Sequence, residues 1–314
     1  MKFPRLRSLL LPILNILVVI TLVYYLYVNA DKFLGLLDLS TTGIICLLLL
    51  SSTSPLLNGF INTYMFQSLG AKLNLKDGFY LAAASTLANE LPVSGGVFAK
   101  GYYLKHRHKL SYTKYFSASL AFFVCILAVN GLIGLAILAY WALFKRTFSP
   151  PLLWIGFGVM AAVLLVFLFP LRYKSMPAKI QVWIEKSLDG WALISQNLRL
   201  LLKLLGFQTG LMLVFAMRYW LAFHMISQNV TFSQSILFSS ATVLTQLVSF
   251  APGGLGVREA IVGSVSSALG FSMEGSVAAV SLDRLVSVIV TVILGWRSVM
   301  VLSKQISDER NLKN

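Results

Sequence analysis

Cysteine, histidine and acidic residues are scarce in this chain of 314 residues, which holds 2 Cys, 3 His and 11 Asp plus Glu. Cys46 and Cys125 both fall inside apolar runs. They therefore supply neither a disulfide framework nor a metal site, and read as lipid-facing or packed thiols. His106 and His108 sit in a basic loop and His224 near the end of an apolar run, so no ligand cluster with metal spacing exists. Charge is sparse altogether, at 12%, where a soluble domain has about 25%. With 57% hydrophobic residues, that deficit excludes an ordinary soluble domain and leaves a polytopic membrane protein.

The charge that is present has one dominant sign: 26 Lys plus Arg give a net +15. These cations cluster between the apolar runs, which argues for the cytoplasmic excess of Lys and Arg in membrane proteins and against nucleic acid as a partner. The strongest apolar runs cover about 9–28, 41–68, 115–144, 152–171, 203–226 and 276–302. The first follows Lys2, Arg5 and Arg7 as a signal peptide would, but it is longer than a signal h-region of about 7–15 residues and reads as a retained anchor.

Two further apolar segments are interrupted. One, about 78–99, contains "NELPVSGGVFAKG" (89–101). The other, about 233–269, contains "SFAPGGLGVREAIVG" (249–263). With a cytoplasmic N-terminus, Lys72 and Lys76 lie inside. The basic loop of Lys100, Lys105, Arg107, Lys109 and Lys114 lies inside as well. The segment between these loops then enters and leaves on one side, as a re-entrant hairpin broken at Pro92, Gly95 and Gly96. By the same logic the second segment dips from the outside and breaks at Pro252, Gly253, Gly254 and Gly256. Only Lys32, Lys145 and Arg146 fall outside in this layout, while Arg218, Arg258, Arg284 and Arg297 fall in or near spans.

The sequence thus predicts an all-α polytopic membrane protein of the cytoplasmic (inner) membrane. It has about six full spans, two re-entrant helical hairpins and both termini in the cytoplasm. The whole of 1–314 is one transmembrane domain, with 1–147 and 148–314 as two repeats of inverted topology, a plan common among secondary transporters. "STLANELPVSGGV" (85–97) loosely echoes "ATVLTQLVSFAPGGLGV" (241–257). Residues 180–203 pair Trp183 and Trp191 with Lys179, Lys186, Arg199 and Lys203 at helical spacing, the pattern of an amphipathic helix on the inner interface.

The chemistry rests on intramembrane charge. Glu90, Arg218, Arg258, Glu259, Asp283 and Arg284 each cost about 2.5–3.5 kcal/mol at a lipid-exposed helix centre, so they must face the interior, pair, or meet a polar ligand. Glu259 is expected to hold a nearby arginine, with Arg284 and Asp283 as the opposite pair. Arginine suits a phosphate because its fork binds oxygens in a bidentate way and stays charged, and broken helices present backbone N–H groups to an anion. "GGLGVRE" (253–259) lacks the Lys-Ser/Thr of a P-loop and the third Gly of a dinucleotide fingerprint, so no nucleotide cofactor is expected. The residues expected to line a lipid-binding cavity are therefore Glu90, Pro92, Gly95, Gly96, Arg218, Pro252, Gly253, Gly254, Gly256, Arg258, Glu259, Asp283 and Arg284. No catalytic set, metal or cofactor is expected.

"APGGLGVREAIVG" (251–263), "SLDRLVSVIVTVILG" (281–295) and "NELPVSGGVFAKGYYL" (89–104) together resemble the membrane region of the lysylphosphatidylglycerol synthase/flippase family. In bifunctional members a cytosolic domain aminoacylates phosphatidylglycerol, and the membrane domain moves the product between leaflets. The resemblance implies a stand-alone membrane domain without the synthase, with an anionic phospholipid or a polyprenyl-linked lipid as ligand. It leaves room for a homo-oligomer or a lipid-biosynthetic enzyme partner. Two other classes stay open: a membrane-embedded transferase or accessory subunit in lipid or glycolipid biosynthesis, and an ion-coupled carrier of a small solute.

Overall fold

A computed structural model describes residues 40–90, 95–145, 149–163, 196–248 and 256–311, with isolated positions (181, 182, 185 and 192) between. The run at 9–28, half of the segment 180–203 including Trp183 and Trp191, and Pro92, Pro252, Gly253 and Gly254 lie outside the described residues.

Every regular element among the described residues is helical. In chain order they are α1 (Thr41–Ser68), α2 (Leu75–Asn89), α3 (Gly95–His108), α4 (Tyr112–Tyr140, continued by a π-turn Trp141–Lys145) and α5 (Pro151–Ala162). There follow α6 (Leu198–Met225), α7 (Phe232–Thr242), α8 (Thr245–Val248), α9 (Val257–Ala268) and α10 (Met273–Asn311). Four are long and apolar enough to cross a membrane: Thr41–Ser68, Tyr112–Lys145, Leu198–Met225 and Met273–Asp308. Even the 28-residue α1 rises about 42 Å, more than the hydrocarbon thickness of about 30 Å. These four fall on four of the six expected runs, within a few residues at each end. At 152–171 the structure describes only α5 and Val163.

Polar side chains set the starts of these helices. Ser40 Oγ, Asn74 Oδ1, Ser111 Oγ and Asn197 Oδ1 each accept a first-turn N–H, from Gly43, Asp77, Lys114 and Leu200. Thr231 and Gln234 form a reciprocal capping box at α7. Just past the C-cap of α1, Leu69, stands Gly70, whose φ of +92° is open to glycine and strained for other residues. Its N–H bonds to Gln67 O and that of Ala71 to Phe66 O, which reverses the chain into α2.

The short helices pack onto the long ones. α2 lies along α1 and α10, α3 folds back on α2, and α9 packs on α10 and α7. α1 and α2 touch backbone to backbone: a Cβ on Gly59 would stand 2.8 Å from Phe79 Cα, and one on Gly78 2.6 Å from Gly59 O. α1 runs antiparallel to α6, with Phe60 stacked on Phe207 (5.1 Å) near one end and Gly43 against Met225 at the other. Apolar packing divides into a cluster around Phe66, Leu104 and Leu204, one around Tyr219, Phe223 and Phe238, and one around Leu138 and Phe157. Cys125 is buried and Cys46 exposed on the outer face of α1.

Candidate functional site

Between α1, α2, α4, α6 and the short helices lies a cavity of about 1020 Å³. Its wall mixes apolar side chains with a set of polar ones. α1 contributes Ser51, Pro55, Asn58 and Asn62. Their spacing of four, three and four residues puts them on one helix face. Pro55 adds to this, since it has no N–H to give to the Ser51 carbonyl one turn back. α4 adds Asn130, α6 adds Gln208 and Arg218, and α7 adds Ser239 and Thr242.

Among the described residues several of these wall groups have no hydrogen-bond partner: Ser51 Oγ, Ser54 Oγ, Asn62 Nδ2, Asn130 Oδ1 and Gln208 Oε1. Ser51, Asn62, Asn130 and Gln208 are each at most 5% exposed. An unsatisfied buried polar atom costs about 1–3 kcal/mol. Five such atoms belong to residues of this one wall.

At one end of the cavity stands a cluster of charged groups from three helices. Asp283 on α10 is fully buried and takes both forks of Arg218 on α6, Nε to Oδ1 at 2.7 Å and Nη2 to Oδ2 at 3.0 Å. Its Oδ2 also accepts from Arg258 Nη2 at 3.3 Å. Arg258 Nε donates to Tyr219 Oη at 2.6 Å. The ring of Phe215 lies within 4.8 Å of the Arg218 guanidinium and 5.4 Å of that of Arg258. These contacts fix both guanidinium groups. Arg258 keeps 16% side-chain exposure, and among the described residues its Nη1 donates to nothing.

A second pair braces the first. Glu259 accepts from Arg284 Nη1 at 3.1 Å and from the N–H of Gly256 at 2.9 Å. The carboxylate is thus both an ion-pair partner and half of a capping box at the start of α9. Gly256 begins that helix with φ +79°. Its glycine is required by the backbone turn.

Glu90, Arg218 and Arg258 line the cavity. Asp283, Glu259 and Arg284 stand behind the wall and hold it. The expected pairing of Asp283 with Arg284 is corrected: neighbours in sequence point about 100° apart on a helix, so Asp283 serves Arg218 and Arg258 while Arg284 serves Glu259. Gly95 and Gly96 press against α2, where a Cβ on Gly96 would stand 2.1 Å from Ser85 O, and Gly96 N–H donates to Asn89 Oδ1 at 2.9 Å.

Sequence reasoning missed Tyr219, Phe215 and the neutral polar wall. Phe215 and Tyr219 lie three residues before and one after Arg218 in "FAMRYW" (215–220), a helical spacing that puts Phe215 beside the arginine. The wall was written as Ser51, Asn58 and Asn62 at helical intervals inside an apolar run. Lys100, expected in the cytoplasmic basic loop, lies on α3 in the cavity wall with its Nζ 3.1 Å from Asn62 Oδ1.

A family model described as lysylphosphatidylglycerol synthase TM region matches residues 13–295. No curated protein matches the chain.

Proposed function

The chain belongs to the lysylphosphatidylglycerol synthase TM region family, a family of membrane proteins in lipid-related processes, and from that premise we propose that it binds an anionic lipid and moves its headgroup between leaflets. One observation carries the reading: Arg258 is anchored to Tyr219 and Asp283 yet stands on the wall of a large cavity with one guanidinium nitrogen uncommitted among the described residues. An arginine needed only to neutralise Asp283 would duplicate Arg218, which already holds both carboxylate oxygens. A second arginine with a spare N–H suits a phosphate oxygen.

Charge balance supports the same ligand class. Arg218, Arg258, Arg284 and Lys100 face Asp283, Glu259 and Glu90, leaving one positive charge in surplus when all are ionised. The cavity volume is of the size that holds a headgroup rather than a bare ion.

In this reading α2–α3 and α7–α9 are the arms of two re-entrant hairpins. At 15, 14, 11 and 12 residues each arm rises about 16–23 Å and stops short of the hydrocarbon thickness. The order long, short, short, long then occurs twice, as an inverted repeat requires. The membrane is the cytoplasmic one, both termini face the cytoplasm, and the ligand is an anionic phospholipid or polyprenyl-linked lipid.

The test is a leaflet-resolved assay. Full-length protein in phosphatidylglycerol-containing vesicles, with a trace of tail-labelled fluorescent phosphatidylglycerol, is treated with a membrane-impermeant quencher. The expected result is loss of nearly all fluorescence, against loss of only the outer-leaflet share in protein-free vesicles. Protection of the inner leaflet in the presence of folded protein refutes translocation.

A further inference from the structure

Lys100 is the one cation of the cavity wall that no carboxylate holds among the described residues. Its Nζ donates to Asn62 Oδ1 at 3.1 Å. That amide turns its other end, Nδ2, to no partner among the described residues, although Asn62 is 3% exposed. An ammonium and a buried, uncommitted amide N–H therefore meet at one corner of the cavity. Both are donors, and an anionic oxygen is the group that accepts from both at once.

This corner is far from the arginines. Phe60 on α1 is level with Phe207 on α6. Arg218 lies roughly eleven residues further along α6, and Asn62 half a turn beyond Phe60 in the opposite direction. At 1.5 Å per residue the two corners are separated by about 20 Å along the helix axes. Both lie on the wall of the same cavity. Between them run Ser51, Ser54, Asn58 and Gln208, which are polar and uncharged.

We propose that Lys100 and Asn62 form a second anion station for a phosphate-bearing headgroup, at the opposite end of the cavity from Arg258, with the neutral polar wall as the lane between them. The lane offers hydrogen bonds without a countercharge, so a headgroup is solvated in passage and not trapped. In the proposed topology Lys100 is the station on the cytoplasmic side and Arg258 the one on the outer side. The assignment rests on the lipid-translocator reading for its meaning, but the anion site itself does not require movement.

Binding therefore tests it separately from transport. The probe is short-chain dihexanoyl-phosphatidylglycerol titrated into the full chain in detergent, with inorganic phosphate and glycerol 3-phosphate as headgroup-only arms and the uncharged dihexanoylglycerol as a control. Arg258→Met leaves measurable affinity, and adding Lys100→Met weakens it by a further tenfold or more, about 1.4 kcal/mol. Lys100→Arg restores binding, which separates loss of charge from loss of fold, and melts of all variants accompany the titrations. Equal affinity of wild type and Lys100→Met, together with equal affinity of Arg258→Met and the double variant, overturns the station. Binding of inorganic phosphate as tightly as the lipid assigns the station to free phosphate and overturns the headgroup. Lys100-dependent lipid binding in a protein that fails the leaflet assay keeps the station and rejects translocation.

Discussion

Arg218 and Asp283 form a two-pronged ion pair across 65 positions of sequence, at 2.7 and 3.0 Å, with side chains 3% and 0% exposed. The pair ties α6 to α10 at the level of the cavity end. It also leaves Asp283 one oxygen to share with Arg258. Structure and site therefore meet in a single carboxylate.

Asp283→Ala leaves the buried Arg218 guanidinium without its carboxylate, and breaking a buried pair costs about 3–5 kcal/mol. The expected outcome is a large drop in melting temperature in detergent, with Asp283→Asn intermediate because the amide still accepts from one N–H. A melt of Asp283→Ala equal to wild type contradicts a structural role for the pair.

Arg258→Lys keeps the charge but loses the fork that spans Tyr219 Oη and Asp283. Lipid scrambling is expected to fall about tenfold or more, the size of one charge-assisted hydrogen bond of about 1.5–3 kcal/mol, with little change in the melt. If Arg258→Ala melts normally and scrambles at the wild-type rate, Arg258 is not on the path.

Glu259→Gln removes the charge facing Arg284 while keeping an oxygen for the N–H of Gly256. Glu259→Ala removes both. The alanine variant is expected to be the less stable by about 0.5–2 kcal/mol, the worth of a helix cap. Equal melts for the two variants argue against the capping half of the assignment.

Gly96→Ala sets a methyl group 2.1 Å from Ser85 O and 2.4 Å from Asn89 Oδ1. α3 must shift off α2, a strain of about 1–3 kcal/mol. Gly70→Ala, by contrast, meets no neighbour within 4 Å and suffers only the cost of its positive φ. Thermal melts of both variants, each paired with the lipid assay, should show loss of activity confined to Gly96→Ala. The opposite ranking refutes close packing as the reason for the glycine.

Topology is checked by labelling. Lys105→Cys, in the last turn of α3, is expected to react with a membrane-impermeant maleimide only after the cells are opened. Reaction in intact cells reverses the proposed orientation of the first hairpin.

Much of this was legible from residue order. Four helices long enough to span a membrane coincide with four runs that apolar length alone picks out. The buried charges were legible as well, because a charge inside an apolar run has so few tolerable places. Their partners were not. Asp283 and Arg284 look like a pair on paper, yet the helix turns them toward different neighbours, Arg218 and Arg258 for one and Glu259 for the other. Lys100 looks like a loop charge because it precedes a basic run, and only the fold of α3 onto α2 turns it toward Asn62.

By itself, then, the sequence determined the class of protein and the residues too costly to leave in lipid, since hydrophobic length and the penalty of a buried charge are properties of local stretches. The tertiary structure alone decided which carboxylate serves which arginine, which glycines are for packing, and that Ser51, Asn62, Asn130 and Gln208 from three helices face one cavity. Those facts depend on the rotation and level of each helix against its neighbours, which are set by contacts between residues far apart in the chain.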